Sequence, residues 1–240
     1  MSDTPNARRR FLQGGLALIP LVTLASHGVP TAFGDTPRQP ATPQLQPDDY
    51  RPRFFTDVEW AFVQAACDRL IPTDELGPGA IACGIPGFID RQMDTPYGHG
   101  ALFYSQGPFI TDQLPELGYQ GRLAPRDILR LGIAGCDQWC RQTHGQPFAG
   151  LASLMQAQVL HLLEEGKVPL EALPSSQFFN QLLRNTREGY FADPVYGGNR
   201  DMAGWKMIGF PGARADFMDW IDHPGERYPL GPVSISGQRG

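Results

Sequence analysis

Glycine and proline are unusually frequent along this chain, which indicates that loops make up much of its structure. The 240 residues include 28 Gly and 23 Pro, close to twice the average usage, without the three-residue period of collagen. Apolar residues make up 41%, which is enough for a core and excludes a disordered chain. Apolar side chains recur at helical spacing, and no alternating strand pattern or internal repeat is present. We therefore predict an all-α, loop-rich domain of about five to seven helices.

Several helices carry recognisable start or stop signals. Thr56 and Glu59 form a capping box ahead of the first helix. Pro125 suits the first turn of the third helix, and Gly166 suits the C-terminal cap of the fourth. The N-terminal cap of the fifth helix is expected to be Ser175 or Ser176. The predicted helices cover about 57–70, 86–94, 124–143, 148–165 and 175–191, with short pieces over 202–207 and 215–221. Residues 97–123 are expected to form a long ordered loop.

The N-terminus has the pattern of an export signal. Arg8 and Arg9 precede Phe11 and Leu12, and a short apolar run follows over 14–25. A basic region followed by a short apolar region is typical of a signal peptide, and the Arg pair with Phe-Leu resembles the twin-arginine signal. The run is too short for a membrane-spanning helix. The alternative is a disordered basic tail.

Three segments follow from this interpretation. Residues 1–34 are predicted to be the twin-arginine signal segment, 35–53 a Pro-rich lead-in, and 54–240 the folded domain. Residues 41–240 carry 16 Lys and Arg against 23 Asp and Glu, a net charge of −7. An acidic body argues against binding nucleic acid by bulk charge.

Four cysteines are candidates for disulfides, because export leads to an oxidising compartment. They are Cys67, Cys83, Cys136 and Cys140, and the alternative is that they are buried thiols. Four cysteines allow three connectivities, among which the sequence does not choose. Cys136, Cys140 and His144 share one predicted helix face, but a metal site requires further ligands. No C-x-x-C-H motif for covalent haem attachment is present.

The familiar catalytic motifs are missing from the sequence. It contains no G-x-G-x-x-G or P-loop, no G-x-S-x-G and no H-E-x-x-H. The five histidines are scattered, and the carboxylate pairs have the positions of helix ends and solvated faces. We therefore assign no catalytic, cofactor-binding or metal-binding residue, and we leave open whether the chain is itself an enzyme.

Two short segments concentrate aromatic residues among glycine and proline. They are Tyr196-Gly197-Gly198-Asn199 and the stretch from Trp205 through Phe210 and Pro211. Rigid, aromatic-rich loops suit protein interfaces, where Trp and Tyr anchor contacts. The alternative is that these aromatic side chains close the protein's own core, and the two interpretations are compatible.

At these segments the sequence resembles a known family. Four strings resemble the small subunit, subunit 3, of membrane-bound gluconate 2-dehydrogenase: LIPTDELGPGAIACGIPGFIDRQMDTPYG (70–98), QGPF (106–109), EGYFADPVYGGNRDMAGWKMIGFPGAR (188–214) and YPLGPVSISG (228–237). The resemblance spans about residues 50–240, and the twin-arginine leader agrees with it.

The resemblance implies a three-subunit complex facing the periplasm. A large subunit with FAD oxidises gluconate to 2-dehydrogluconate, and a cytochrome subunit with haem c passes electrons to quinone and holds the complex at the cytoplasmic membrane. The small subunit has no cofactor; it binds the large subunit and escorts it through the twin-arginine export machinery. The residues expected to contact the large subunit, or to shape the contacting loop, are Tyr196, Gly197, Gly198, Asn199, Trp205, Phe210 and Pro211.

Other functions remain open on the sequence. The chain is alternatively the equivalent subunit of a related sugar, keto-gluconate or polyol flavodehydrogenase, because the substrate pocket lies in another chain. An autonomous exported enzyme would turn over substrate alone, and a free-standing binding module would be soluble without a partner.

Overall fold

The computed structural model describes residues 50–102, 107–110, 115–214 and 216–240. These residues form six α-helices and no β-strand, which confirms the predicted all-α class. The helices are α1 Asp57–Leu70, α2 Ile85–Met93, α3 Pro125–His144, α4 Ser153–Glu164, α5 Ser175–Phe191 and α6 Ala203–Ile208. The export-signal residues Arg8, Arg9, Phe11 and Leu12 lie outside the described residues.

The start signals of α1 and α3 act as predicted. The Thr56 side chain accepts a hydrogen bond from the Glu59 N–H, and the Glu59 carboxylate accepts one from the Thr56 N–H at 2.8 Å. This reciprocal pair satisfies two donors that would otherwise lack partners at the helix start. Pro125 occupies the first turn of α3, where its missing N–H costs nothing.

One predicted boundary and one predicted cap were wrong. The segment 148–165 is not one helix, because Phe148–Gly150 forms a separate 3₁₀ turn before α4 begins at Ser153. The Phe148 N–H instead donates to the buried Asp137 carboxylate at 3.0 Å. Neither serine caps α5: Pro174 takes the cap position and Ser175 is already helical, with a buried hydroxyl that has no hydrogen-bond partner.

The core gathers around α5, which contacts the other long helices. Phe178 of α5 and Phe148 both pack against Phe62 of α1, with ring centroids 5.9 and 4.5 Å from that of Phe62. The absence of a side chain at Gly132 of α3 admits Phe178, since a Cβ there would lie 2.1 Å from the ring. Each buried Phe contributes about 1.5–3 kcal/mol, so this cluster supports the fold on which the loops rest.

Asp90 of α2 fixes the segment that leads into α1. Its carboxylate is fully buried and accepts four hydrogen bonds, from the Tyr50 hydroxyl and the N–H groups of Arg53, Phe54 and Phe55, at 2.7–3.1 Å. A buried carboxylate is tolerated where hydrogen bonds replace its lost hydration. Residues 50–55 are therefore held against α2 by one side chain.

Within the ranges described, no helix is both long enough and apolar enough to span a bilayer.

Candidate protein interface

Asp193 joins two turns that are far apart in sequence. Its buried carboxylate accepts hydrogen bonds from the Val195 N–H at 3.0 Å and from the Ile235 N–H at 2.7 Å. The side chains of Val195 and Ile235 are both exposed, so this bridge joins two turns that each present an apolar group to solvent. The sequence analysis missed Asp193 and Ile235; the Asp-Pro pair at 193–194 was the only local signal.

Gly197 and Gly198 allow the loop to lie close to two helices. The Arg91 guanidinium of α2 donates to the Gly197 carbonyl at 2.8 Å, and Gly197 has φ +87, which favours glycine. A Cβ on Gly198 would lie 2.3 Å from the carbonyl oxygen of Gly189 in α5. Both glycines therefore shape the loop.

Asn199 is an internal brace. It is fully buried in a left-handed conformation with φ 44, which Asn tolerates better than most residues. Its side chain donates to the Ala192 carbonyl at 2.9 Å and accepts from the Gly204 N–H at 2.8 Å. Asp201 and Met202 are also left-handed, so the chain turns sharply before α6.

Trp205 lies inside and Phe210 lies outside. Trp205 is 5% exposed, and its indole N–H donates to the Phe191 carbonyl at 2.7 Å. Its ring packs edge-on against Phe210, with centroids 5.2 Å apart, and Phe210 keeps nearly half of its surface exposed. Half-buried Pro211 follows, and its carbonyl accepts from the Val233 N–H at 3.1 Å. Trp205 thus positions Phe210.

Several large apolar side chains remain exposed on this framework. We call them the apolar face: Phe191, Val195, Tyr196, Met207, Ile208, Phe210 and Ile235. Of the seven residues that the sequence indicated, Tyr196 and Phe210 present their rings to solvent. Gly197, Gly198, Asn199 and Trp205 hold the loop, and Pro211 ties it to the C-terminal segment. Exposed apolar patches mark protein–protein or membrane interaction sites or ligand-binding grooves, and these seven side chains are candidates for such a site.

Three carboxylates are buried in the part of the chain that the structure describes, and all are bound to backbone N–H groups. Asp90 and Asp193 accept the bonds described above, and Asp137 accepts from Phe148. Burial raises the pKa of Asp137, while the hydrogen bond from Phe148 and the nearby Arg141 guanidinium oppose that shift. The bonds to the backbone N–H groups give these carboxylates structural roles.

The four cysteines are buried free thiols, which is the alternative to disulfides considered above. Burial raises the pKa of Cys67 to about 12 and that of Cys83 to about 11. The hydrogen bond between the Cys136 and Cys140 thiols, together with burial, raises the pKa of Cys136. The same hydrogen bond lowers the pKa of Cys140. Thiolates are the reactive form, so Cys67, Cys83 and Cys136 are inert near neutral pH. No group of three His, Cys, Asp or Glu side chains suited to a metal occurs in the described ranges.

Comparison with known proteins matches the chain to one family. A model of the family described as gluconate 2-dehydrogenase subunit 3 matches residues 57–212, nearly two thirds of the chain. The match begins at the first residue of α1 and extends past Phe210 and Pro211. No curated protein and no solved structure matches the chain. The chain belongs to the gluconate 2-dehydrogenase subunit 3 family.

Proposed function

We propose that this chain is the noncatalytic small subunit of a periplasm-facing gluconate 2-dehydrogenase, and that its apolar face binds the large, FAD-bearing subunit. The apolar face carries the proposal, because a buried polar framework holds seven apolar side chains at the surface. Tyr196 is 53% exposed and Ile208 is 58% exposed. Covering such side chains contributes roughly 1.5–3 kcal/mol each when burial is complete.

In the proposed complex, the other two subunits supply the redox cofactors. FAD in the large subunit takes two electrons from gluconate, giving 2-dehydrogluconate. Haem c in the cytochrome subunit carries those electrons to quinone, and that subunit holds the complex at the cytoplasmic membrane. The family membership supports the assignment, and the buried, backbone-bound carboxylates agree with it.

The escort role rests on the leader. The twin-arginine machinery exports folded proteins, which suits a large subunit that acquires FAD before export. A large subunit without its own signal would cross while bound to this chain. The apolar face must then be complete in the cytoplasm, before the leader is recognised.

Co-purification tests the proposed interface. We expect the C-terminally tagged chain, isolated from periplasm and membranes of its native host, to bring flavin, haem and gluconate-oxidising activity with it. The I208S/F210S double variant should lose roughly tenfold or more of the bound flavin, because two exposed contacts disappear. The matched control is L102S/L154S, which changes two exposed leucines outside the apolar face. Equal flavin in I208S/F210S and wild type would refute the interface.

The activity that co-purifies also identifies the substrate of the complex. Activity with a keto-gluconate or polyol instead of gluconate would identify the related flavodehydrogenase.

Export is tested separately with R8K/R9K. We expect the flavoprotein and the tagged chain to remain bound to each other but to stay in the cytoplasm. If the flavin and the tagged chain reached the periplasm in this variant at the wild-type level, the arginine pair would not direct export. Assembly in the cytoplasm serves as the internal control for folding.

A further inference from the structure

A charged cleft adjoins the apolar face. Its volume is about 270 Å³, and its lining includes Trp205, Lys206, Phe210, Arg227, Tyr228 and Leu230. Phe210 belongs to both features, and Trp205, which positions Phe210, also lines the cleft, so the cleft continues the surface already described. Lys206 lies on α6 directly before Met207 and Ile208, and one helix therefore supplies both a cation to the cleft and two side chains to the apolar face.

Two cations, Lys206 and Arg227, line this cleft together with Gly240, which lies beside the Lys206 side chain. The side chains of Lys206 and Arg227 are exposed, and neither forms an ion pair with any residue that the structure describes. Glu226 precedes Arg227 in sequence, but its Oε2 atom lies 3.4 Å from Nδ1 of His223 and forms no ion pair with Arg227. In an acidic body with a net charge of −7, a cleft with two unpaired cations is a local inversion of charge.

The walls of the cleft are already ordered. The Tyr228 ring packs edge-on against Trp220, with ring centroids 5.9 Å apart. The Arg214 guanidinium lies 5.6 Å from the centroid of the same Tyr228 ring. The Phe210 N–H donates to the Trp205 carbonyl at 2.9 Å. A preformed site loses little conformational entropy when it is filled.

We propose that this cleft receives an acidic side chain of the FAD-bearing large subunit, flanked there by an apolar residue. This inference rests on the proposed function and extends it to the chemistry of the partner's surface. A guanidinium binds a carboxylate through two parallel hydrogen bonds, and the attraction strengthens when the partner covers the cleft and displaces water from its walls. The apolar residue of the large subunit covers Phe210 and Leu230. The carboxylate of the large subunit lies between Lys206 and Arg227 and fixes how the two subunits align.

Charge reversal tests the proposal in the co-purification assay. We expect K206E/R227E to retain roughly a tenth or less of the flavin that the wild-type chain captures, because like charges then meet at the interface. The charge-matched control is K167E/R187E, which reverses one exposed Lys, ion-paired with Glu165, and one exposed Arg elsewhere. Both changed positions in K206E/R227E are exposed, so its thermal unfolding should match that of the wild type.

Salt provides a second readout. Flavin capture by wild type should fall at about 1 M salt, where the screening length is ~3 Å, and capture by K206Q/R227Q should depend less on salt. Wild-type flavin capture by K206E/R227E would overturn the inference and leave the proposed function standing. If the wild-type chain captures no flavoprotein, both are overturned. Equal losses in K206E/R227E and K167E/R187E would also overturn the inference, since overall charge alone would then explain the effect.

Discussion

Replacing Asp90 with alanine should lower the free energy of unfolding by about 3–5 kcal/mol, because four donors, two of them buried, lose one shared acceptor. The N–H groups of Phe54 and Phe55 would remain buried without partners. The Tyr50 hydroxyl and the Arg53 N–H are nearer to solvent and regain water more easily. A loss of this size is a large fraction of the stability of an ordinary domain.

Denaturant unfolding of the D90A and D90N variants measures this effect. D90N keeps the volume and one acceptor oxygen, so it should fall between D90A and wild type. D94N is the control, since Asp94 is exposed at the end of the same helix. A loss below about 1 kcal/mol in D90A would mean that residues 50–55 do not depend on this carboxylate.

Local signals were sufficient for the helices whose ends involve neighbours in sequence. The capping box at Thr56 and the proline at 125 concern residues within one turn, and both were read correctly. The start of α4 was not, because the buried Asp137 binds the Phe148 N–H from a different helix. The Asp90 cluster was missed for the same reason, since its partners lie 35–40 residues away along the chain.

The sequence marked the loops of the candidate interface but not which of their side chains face solvent, and the interface itself stays a prediction. Glycine, proline and aromatic residues marked the loops, yet nothing in their spacing distinguishes inward Trp205 from outward Phe210. That distinction depends on the Phe191 carbonyl, 14 residues away, which accepts the indole N–H. Asp193 and Ile235 are 42 residues apart, and their hydrogen bond completes the apolar face. Lys206 and Arg227 likewise meet only through the folding of the C-terminal segment.

Replacing Asn199 with alanine should disconnect the apolar face from the helical core. The change removes two hydrogen bonds, leaves the Ala192 carbonyl and the Gly204 N–H without partners, and places alanine at φ 44. Together these effects should cost about 3–4 kcal/mol of local stability. Because α6 begins four residues later, Trp205 and Phe210 should lose their fixed positions, and flavoprotein capture should fall roughly tenfold or more.

The N199G variant separates the loss of the side-chain hydrogen bonds from the strain of the left-handed backbone. N199G accepts the left-handed backbone without strain but supplies no side-chain hydrogen bonds, so it should recover only about 1 kcal/mol relative to N199A. N180A is the control, because Asn180 is an exposed asparagine on α5. Hydrogen exchange should show lost protection over residues 192–212 in N199A, with the core helices unchanged. If N199G matches wild type in stability and capture, the backbone conformation alone holds the loop. If N199A also matches wild type, Asn199 does not brace the apolar face, and the face must be held by Asp193 and Trp205.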